Sequence, residues 1–343
     1  MTMEQKKNKL LKNISELRQD PVSGDWVVIA TARNKRPSEM VAKKTERLIT
    51  PIEKCPFGDL EASGNIVLME EKLPESNEWF IKFIKNKFPA LDHQIKAIKK
   101  TGIGPYEKMN GYGYHEVVIL KSHTKPLSDY SNEEMAFLLQ SLQKRYRKLA
   151  EDKKIKHISI YHNWGPSAGA SVYHPHLQII ALPVISSSIK RALKEIEQYW
   201  KKNHKCLYCE IVKFELQEKK RIVFENEKAV TITPYVSREP FELAIYPKNH
   251  SPFFEEASSD EIKDMAEALK HGLLSLKNKL SDPDLNFFIH TSPVYHEKKS
   301  EHTNYDWHIK VIPRVCISAG FEIDTGIEIT PVNPDEGAEF LKS

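Results

Sequence analysis

Tyr114-His115-Glu116-Val117-Val118-Ile119-Leu120-Lys121-Ser122-His123 has a counterpart later in the chain, Phe241-Glu242-Leu243-Ala244-Ile245-Tyr246-Pro247-Lys248-Asn249-His250. Each is a β-rich run that closes on Lys-x-His. Eight residues beyond each histidine stands a serine, Ser131 and Ser258. Three residues beyond each serine stands an acid, Glu134 and Glu261. A hydroxyl that accepts the N3 amide, with an N3 acid that returns to the cap amide, marks a helix start. Met135, Leu138, Leu139, Leu142, Tyr146 and Leu149 then share one helical stripe. Ile262, Met265, Leu269, Leu273, Leu276 and Leu280 share the other. A short strand follows each helix, His157–His162 and Asn286–Thr291. A histidine-bearing strand ending in proline comes next, His174–Pro183 and Trp307–Pro313.

Strand, histidine, helix, strand, loop and histidine strand therefore occur twice. This order predicts an α+β fold of two tandem duplicated units, each an antiparallel sheet with a helix packed on one face. The charged stretch Ile189–Lys205, itself read as a helix, joins them and sets the units at 1–188 and 189–343.

Composition narrows the partners. With 343 residues, two domains are expected, and no stretch approaches the roughly 18 apolar residues of a membrane span. The Lys-rich segment Met1–Arg18 carries a helical stripe (Leu10, Leu11, Ile14, Leu17) but no apolar core of a secretory signal. The reading is a cytoplasmic protein with no membrane partner. The 51 basic and 47 acidic residues nearly balance, and the excess is scattered, so bulk charge does not suggest nucleic acid. Of four cysteines only Cys206 and Cys209 are closely spaced; in a reducing compartment that spacing means metal or redox.

The chemistry concentrates in Asn163-Trp164-Gly165-Pro166-Ser167-Ala168-Gly169-Ala170-Ser171-Val172-Tyr173-His174-Pro175-His176-Leu177-Gln178. On a strand, His174, His176 and Gln178 share one face, while the apolar Leu177 and Ile179 take the other. Ser167, Gly169, Ala170 and Ser171 let backbone N–H groups and hydroxyls approach a phosphate. A neutral imidazole beside such a cradle can attack the α-phosphorus of a nucleotide and form a phosphoramidate. Gln178 can donate to a phosphoryl oxygen as charge builds up.

At these residues the sequence resembles the galactose-1-phosphate uridylyltransferase family, a nucleotidyltransferase branch of the histidine-triad superfamily. Further segments carry the likeness: Asp20–Ile29 with Arg33–Pro37, Asn86–Leu91 (NKFPAL), Gly113–Val117, Ala319–Glu322 and Asn333-Pro334, in order from about residue 19 to 340. The loop is most like that of the archaeal and bacterial branch and of plant ADP-glucose phosphorylase. The resemblance implies two histidine-triad-like units and a ping-pong exchange. His176 takes UMP or AMP from a nucleotide sugar, and a sugar 1-phosphate, or phosphate in the phosphorylase type, then collects it. UDP-glucose–hexose-1-phosphate uridylyltransferase is the leading form. It further implies that Gln178, Asn163 and Ser171 contact phosphate, that Arg33, Arg36, Asn86 and Phe88 contact the nucleotide, and that Glu322 contacts the sugar. Members of the family often dimerise.

Cys206, Cys209, His250 and a late residue make a tetrahedral zinc set, with His308 or Asp306 to close it and His302 a weaker candidate. In the first unit the resemblance puts His174 at a zinc-ligand position. Where relatives carry a second cysteine this chain has Gly58, leaving Cys55, His123 and His174, with Asp59 as a substitute. Zinc is expected in the second unit rather than the first. The lost cysteine and Asp306 also admit an alternative, a nucleotide-binding protein without catalysis.

Overall fold

The computed structural model describes residues 14–31, 47, 49–95, 98–296 and 302–343. Arg33 and Arg36 lie outside the described residues. Strands in chain order are β1 (Glu16–Gln19), β2 (Trp26–Ile29), β3 (Val67–Glu71), β4 (Ile81–Lys85), β5 (Lys100–Ile103), β6 (Tyr106–Met109), β7 (Tyr114–Leu120), β8 (His157–Trp164) and β9 (His176–Leu182). They continue with β10 (Ile222–Glu225), β11 (Ala229–Ile232), β12 (Leu243–Pro247), β13 (Leu285–His290), β14 (His308–Pro313) and β15 (Glu328–Thr330). Helices are α1 (Asn132–Ala150), α2 (Ser187–Asn203), α3 (Leu207–Glu218), α4 (Ser259–Lys279), α5 (Gly320–Thr325) and α6 (Pro334–Lys342).

Both expected helix starts are present. Ser131 accepts the Glu134 amide while Glu134 returns to the Ser131 amide, and Ser258 accepts the Glu261 amide. The stripes read from the sequence are the buried faces of α1 and α4, whose residues join one apolar cluster with Leu177, Ile179, Leu243, Ile245, Ile309 and Val311. The α+β architecture of duplicated units is the one observed. The two sheets are not separate, however. β13 pairs antiparallel with β8, so the strands run β10-β11-β12-β14-β13-β8-β9-β7-β4-β3 in one ten-stranded sheet.

That junction follows from the alternation of the strands. Each unit presents apolar side chains to the helices on one face and leaves polar ones on the other. Directly paired residues share a face, so Gln178, Tyr161, Phe288 and Lys310 form one row across four strands. Asn163 and Asn286 are likewise opposite one another. Over the second unit this outer face is covered by α2 and α3, through Ala192, Ile196, Leu207, Tyr208 and Val212. None of the described helices is long and apolar enough to cross a membrane.

Candidate functional site

β9 begins at His176, and the imidazole is buried, 8% exposed, with its edge against the Phe57 ring. Its Nδ1 lies 2.8 Å from the His174 carbonyl oxygen. A carbonyl only accepts, so Nδ1 carries the proton and Nε2 keeps a lone pair. Burial lowers the pKa of this imidazole from its ordinary value, while the carbonyl contact opposes the shift. One residue before Asn163, His162 donates to the His176 carbonyl at 2.7 Å and clamps the start of β9. The site therefore presents a neutral imidazole of defined tautomer.

Gln178 is oriented from two sides. The Ala90 amide donates to His115 Nδ1 at 3.1 Å, so His115 Nε2 carries a proton and donates to Gln178 Oε1 at 2.9 Å. The Tyr161 hydroxyl donates to the same oxygen at 3.0 Å. With its oxygen doubly engaged, the Gln178 amide nitrogen is the group turned outward as a donor. Neither His115 nor Tyr161 was singled out as a site residue from sequence. The signal for Tyr161 was its place two residues before Asn163 on one strand face. Asn86 lies beside His115, with its amide nitrogen 3.1 Å from Nε2, and accepts the Phe88 amide at 2.9 Å. The Phe88 ring projects into solvent, 88% exposed, so it is a surface side chain rather than part of the core.

The loop before β9 departs from the sequence reading in one respect. The Ser167 amide, read as part of an anion cradle, donates to Asp284 Oδ2 at 2.7 Å. Asp284 also binds Arg47 at 3.1 Å, and Arg47 stacks over Trp164. Gly165 has φ +85°, and a β-carbon there would lie 1.8 Å from Asp284 Oδ1. Glycine is therefore required at this approach. Asn163 Oδ1 accepts from Asn286 Nδ2 at 2.8 Å, and the same amide also reaches the Ala168 carbonyl. The second unit thus holds the loop of the first. Gly169, at φ +84°, and Ser171 are exposed and keep their place in the turn that leads to His174. Glu322 caps α5, accepting the Ala319 amide at 2.9 Å.

Two donor clusters flank the sheet. In the first, His174 Nε2 donates to the Leu120 carbonyl at 2.6 Å and His123 Nε2 to the Thr50 carbonyl at 2.7 Å. Both Nδ1 atoms are therefore bare, and they face each other at 3.1 Å with Cys55 Sγ 3.6 Å from His174 Nδ1. Two lone pairs at that distance repel unless a cation lies between them. In the second, Cys206, Cys209, His250 and Asp306 gather their donor atoms within 4.8 Å of one another. Asp306 Oδ2 is 3.4 Å from Cys206 Sγ and 3.6 Å from Cys209 Sγ, and Cys209 Sγ is 3.6 Å from His250 Nδ1. Ligands about 2.0–2.3 Å from a tetrahedral zinc stand roughly 3.3–3.8 Å apart; the sulfur contacts of both sets lie in that range, while the His123–His174 and His250–Asp306 pairs, at 3.1 and 2.8 Å, are somewhat closer.

The fourth donor of the second set is Asp306 and not His308. Asp306 is two residues before His308, as His174 is before His176, and so takes the corresponding place. His308 donates Nδ1 to the Asp306 carbonyl at 3.0 Å and stacks on His290. Burial lowers its pKa to about 3. His250 donates Nε2 to the Thr303 carbonyl at 2.6 Å, which aims Nδ1 at the thiols. Without a cation, its hydrogen bond to Asp306 raises His250 to about 10. Neither His302 nor Asp59 is in either donor group.

Comparison with known proteins adds an independent line. The family model described as galactose-1-phosphate uridyl transferase, N-terminal domain, matches residues 4–186. A model described as a domain of unknown function, DUF4921, matches residues 114–341. ADP-glucose phosphorylase of Arabidopsis thaliana is 31% identical over 95% of this chain and 92% of its own length. Galactose-1-phosphate uridylyltransferase of Thermotoga maritima is 28% identical over 95% of this chain and 98% of its own. The crystal structure of the Arabidopsis thaliana ADP-glucose phosphorylase with bound ADP-glucose superposes with a TM-score of 0.81 at 30% identity, covering 96% of this chain and 98% of that one.

The loop geometry makes a prediction independent of those likenesses. Asp284→Ala removes the acceptor of the Ser167 amide and a partner of Arg47. Native-state hydrogen exchange at Ser167 should accelerate by about 10-fold or more, and Asp284→Asn, which keeps an acceptor oxygen, should restore most of the protection. Unchanged exchange in the alanine variant would show that Asp284 does not hold the loop.

Proposed function

Because this chain belongs to the galactose-1-phosphate uridylyltransferase family, a family of nucleotidyl-transferring enzymes, we propose that it moves a nucleoside monophosphate from a nucleotide sugar through His176. The observation that carries this reading is the hydrogen bond from His176 Nδ1 to the His174 carbonyl. It leaves a neutral nucleophile at Nε2, and the same carbonyl stabilises the positive charge that grows on the ring as that nitrogen bonds to phosphorus.

In the first half-reaction Nε2 attacks the α-phosphorus, the bond to the bridging oxygen breaks, and the sugar 1-phosphate leaves. In the second, an acceptor phosphate oxygen attacks the same phosphorus, and His176 leaves as neutral imidazole. The outward amide nitrogen of Gln178 donates to a non-bridging oxygen in both transition states. Asn163, Gly169 and Ser171 border the phosphate, while Asn86 and Phe88 lie on the nucleotide side. Arg33, Arg36 and Glu322 keep the nucleotide and sugar roles that the family pattern gives them. A hexose 1-phosphate as acceptor makes the enzyme a UDP-glucose–hexose-1-phosphate uridylyltransferase. Inorganic phosphate makes it a phosphorylase of the ADP-glucose type. The second form is favoured by the identity and superposition with a phosphorylase that holds ADP-glucose.

Zinc fits both donor clusters. Bound there it would supply structural cross-links, tying the Cys55 segment to β9 in one unit and α3 to the start of β14 in the other. His123, His174 and Cys55 would hold the first ion, and Cys206, Cys209, His250 and Asp306 the second.

Incubation with ADP-glucose or UDP-glucose labelled in the α-phosphate should leave acid-labile, base-stable label on the protein, and His176→Asn should abolish it. Label retained by that variant would remove His176 from the mechanism. Phosphate and galactose 1-phosphate, offered in turn to the labelled enzyme, will tell the two acceptors apart.

The neutral imidazole is the reactive form, and burial lowers its pKa. The rate of nucleotidyl-enzyme formation should therefore hold as pH falls through 6.5 and decline only below it. A decline centred above 6.5 would contradict the assigned protonation state. For the metal, elemental analysis should find zinc in the purified chain, and Cys209→Ser should lower its content by about one equivalent. Zinc binding to the stripped protein should also release the His250 proton. The three-donor set of the first unit should empty first under chelation, since it offers one ligand fewer.

A further inference from the structure

Two aromatic residues bound the small-residue loop before β9: Trp164 at the end of β8, and Tyr173 next to His174. Their rings meet edge to face with centroids 6.0 Å apart, so the two ends of the stretch 165–172 are drawn together. One guanidinium covers both rings. Arg47 Cζ lies 4.7 Å from the Trp164 ring centroid and 5.4 Å from that of Tyr173, inside the roughly 6 Å reach of a cation–π contact. Its N–H groups engage the turn before β13. Nε donates to Asp282 Oδ2 at 2.6 Å, and Nη1 donates to Asp284 Oδ1 at 3.1 Å. Nη2 donates to the carbonyl oxygens of Asp282 at 2.6 Å and Pro283 at 3.3 Å. The Arg47 side chain is only 14% exposed.

These contacts need a flat, forked cation. A lysine ammonium has no plane to lay over two rings and no fixed fork to hold two carboxylates and two carbonyls at once. The fork also sets the direction of Asp284. With Oδ1 held by Arg47, Oδ2 is turned to the Ser167 amide at 2.7 Å. Within the loop, the amides of Ala168 and Ala170 donate to the Gly165 carbonyl and that of Gly169 to the Pro166 carbonyl. Glycine, alanine and serine offer little apolar surface for packing, so the freedom of such a loop has to be removed from its ends.

We propose that Arg47 is a positioning residue for the phosphate side of the site. It braces both ends of the 165–172 loop and fastens them to the second unit, so that the loop is ordered before a nucleotide arrives. Arg47 touches no reacting atom and acts through Trp164, Tyr173 and Asp284. Its effect on rate depends on the proposed transfer through His176, and the brace itself does not. Without the brace the loop must be ordered during the reaction, and a misplacement of about 1 Å costs roughly 100-fold in rate.

Hydrogen exchange and labelling of the full chain test the two parts separately. In Arg47→Ala and Arg47→Lys the amides of Ser167, Ala168, Gly169 and Ala170 should exchange about 10-fold faster or more, while those of β9 keep their wild-type rates. In the same variants nucleotidyl-enzyme formation at saturating ADP-glucose or UDP-glucose should slow by about 10-fold or more. Millimolar guanidinium should restore both rate and protection to Arg47→Ala, and ammonium at the same concentration should restore neither. Unchanged exchange in the alanine variant would overturn the brace. So would exchange that rises equally through β8 and β9, which marks a general loss of fold, or rescue by ammonium as complete as by guanidinium. A lysine variant with wild-type rate and exchange would show that charge alone suffices, and would equally overturn it. Faster loop exchange with an unchanged rate would remove the positioning role. If the wild type takes no label from either nucleotide sugar, the transfer reading fails, while the exchange result still decides for or against the brace.

Discussion

The pairing of β8 with β13 is the constraint on which the rest of the molecule depends. It joins two sheets that each have their own helix, histidine and donor cluster into one surface. It also places the turn before β13 directly beneath the loop before β9. Asp284 and Asn286 can then bind the Ser167 amide, the Ala168 carbonyl and the Asn163 side chain. A small-residue loop has high conformational freedom, and an anion site in such a loop is useful only if its entropy has been removed beforehand. The neighbouring unit removes it. Duplication therefore contributes more than a second copy of the fold: one copy becomes the support of the other's loop.

The next level of control is the tautomer. At His176, His174, His123, His250 and His308 one ring nitrogen donates to a backbone carbonyl, which dictates what the other nitrogen can do. Where the bonded nitrogen is Nδ1, as in His176 and His308, Nε2 is left as a nucleophile or acceptor. Where it is Nε2, as in His123, His174 and His250, Nδ1 is left facing the other members of its donor cluster. Which ring nitrogen is left available is thus set by the direction of carbonyl groups along the strands and their connecting loops. At His174, His176 and His308 burial also favours the neutral form, so the two effects act together there.

The second unit shows how far such a plan can diverge without losing shape. Asp306 replaces an imidazole in the donor set, and its carboxylate supplies the fourth contact to two thiols and His250. Lys310 stands in the row of Gln178, and the backbone cradle is gone. α2 and α3 close over the face that in the first unit carries His176 and Gln178.

Much of this was legible in the residues alone. The repeated Lys-x-His runs, the paired serine and acid at each helix start, and the apolar stripes follow local rules of period and capping, and they appear as expected in α1 and α4. The shared face of His176 and Gln178 follows from strand alternation, and the two thiols with His250 from spacing and ligand chemistry. Other features depended on residues far apart in sequence. Asp284 lies 117 positions from Ser167, and no periodicity announces that a carboxylate will occupy an amide read as free. The choice of Asp306 over His308 rests on which of the two, one ahead of β14 and one at its start, reaches the thiols at the start of α3, a matter of tertiary position. His115 and Tyr161 orient Gln178 only because two neighbouring strands bring them to one oxygen. Local sequence determines which elements form and which face of each is polar, because those are short-range steric and hydrogen-bonding effects. Only the tertiary structure decides which polar groups meet across the sheet, because that depends on the pairing of strands distant in the chain.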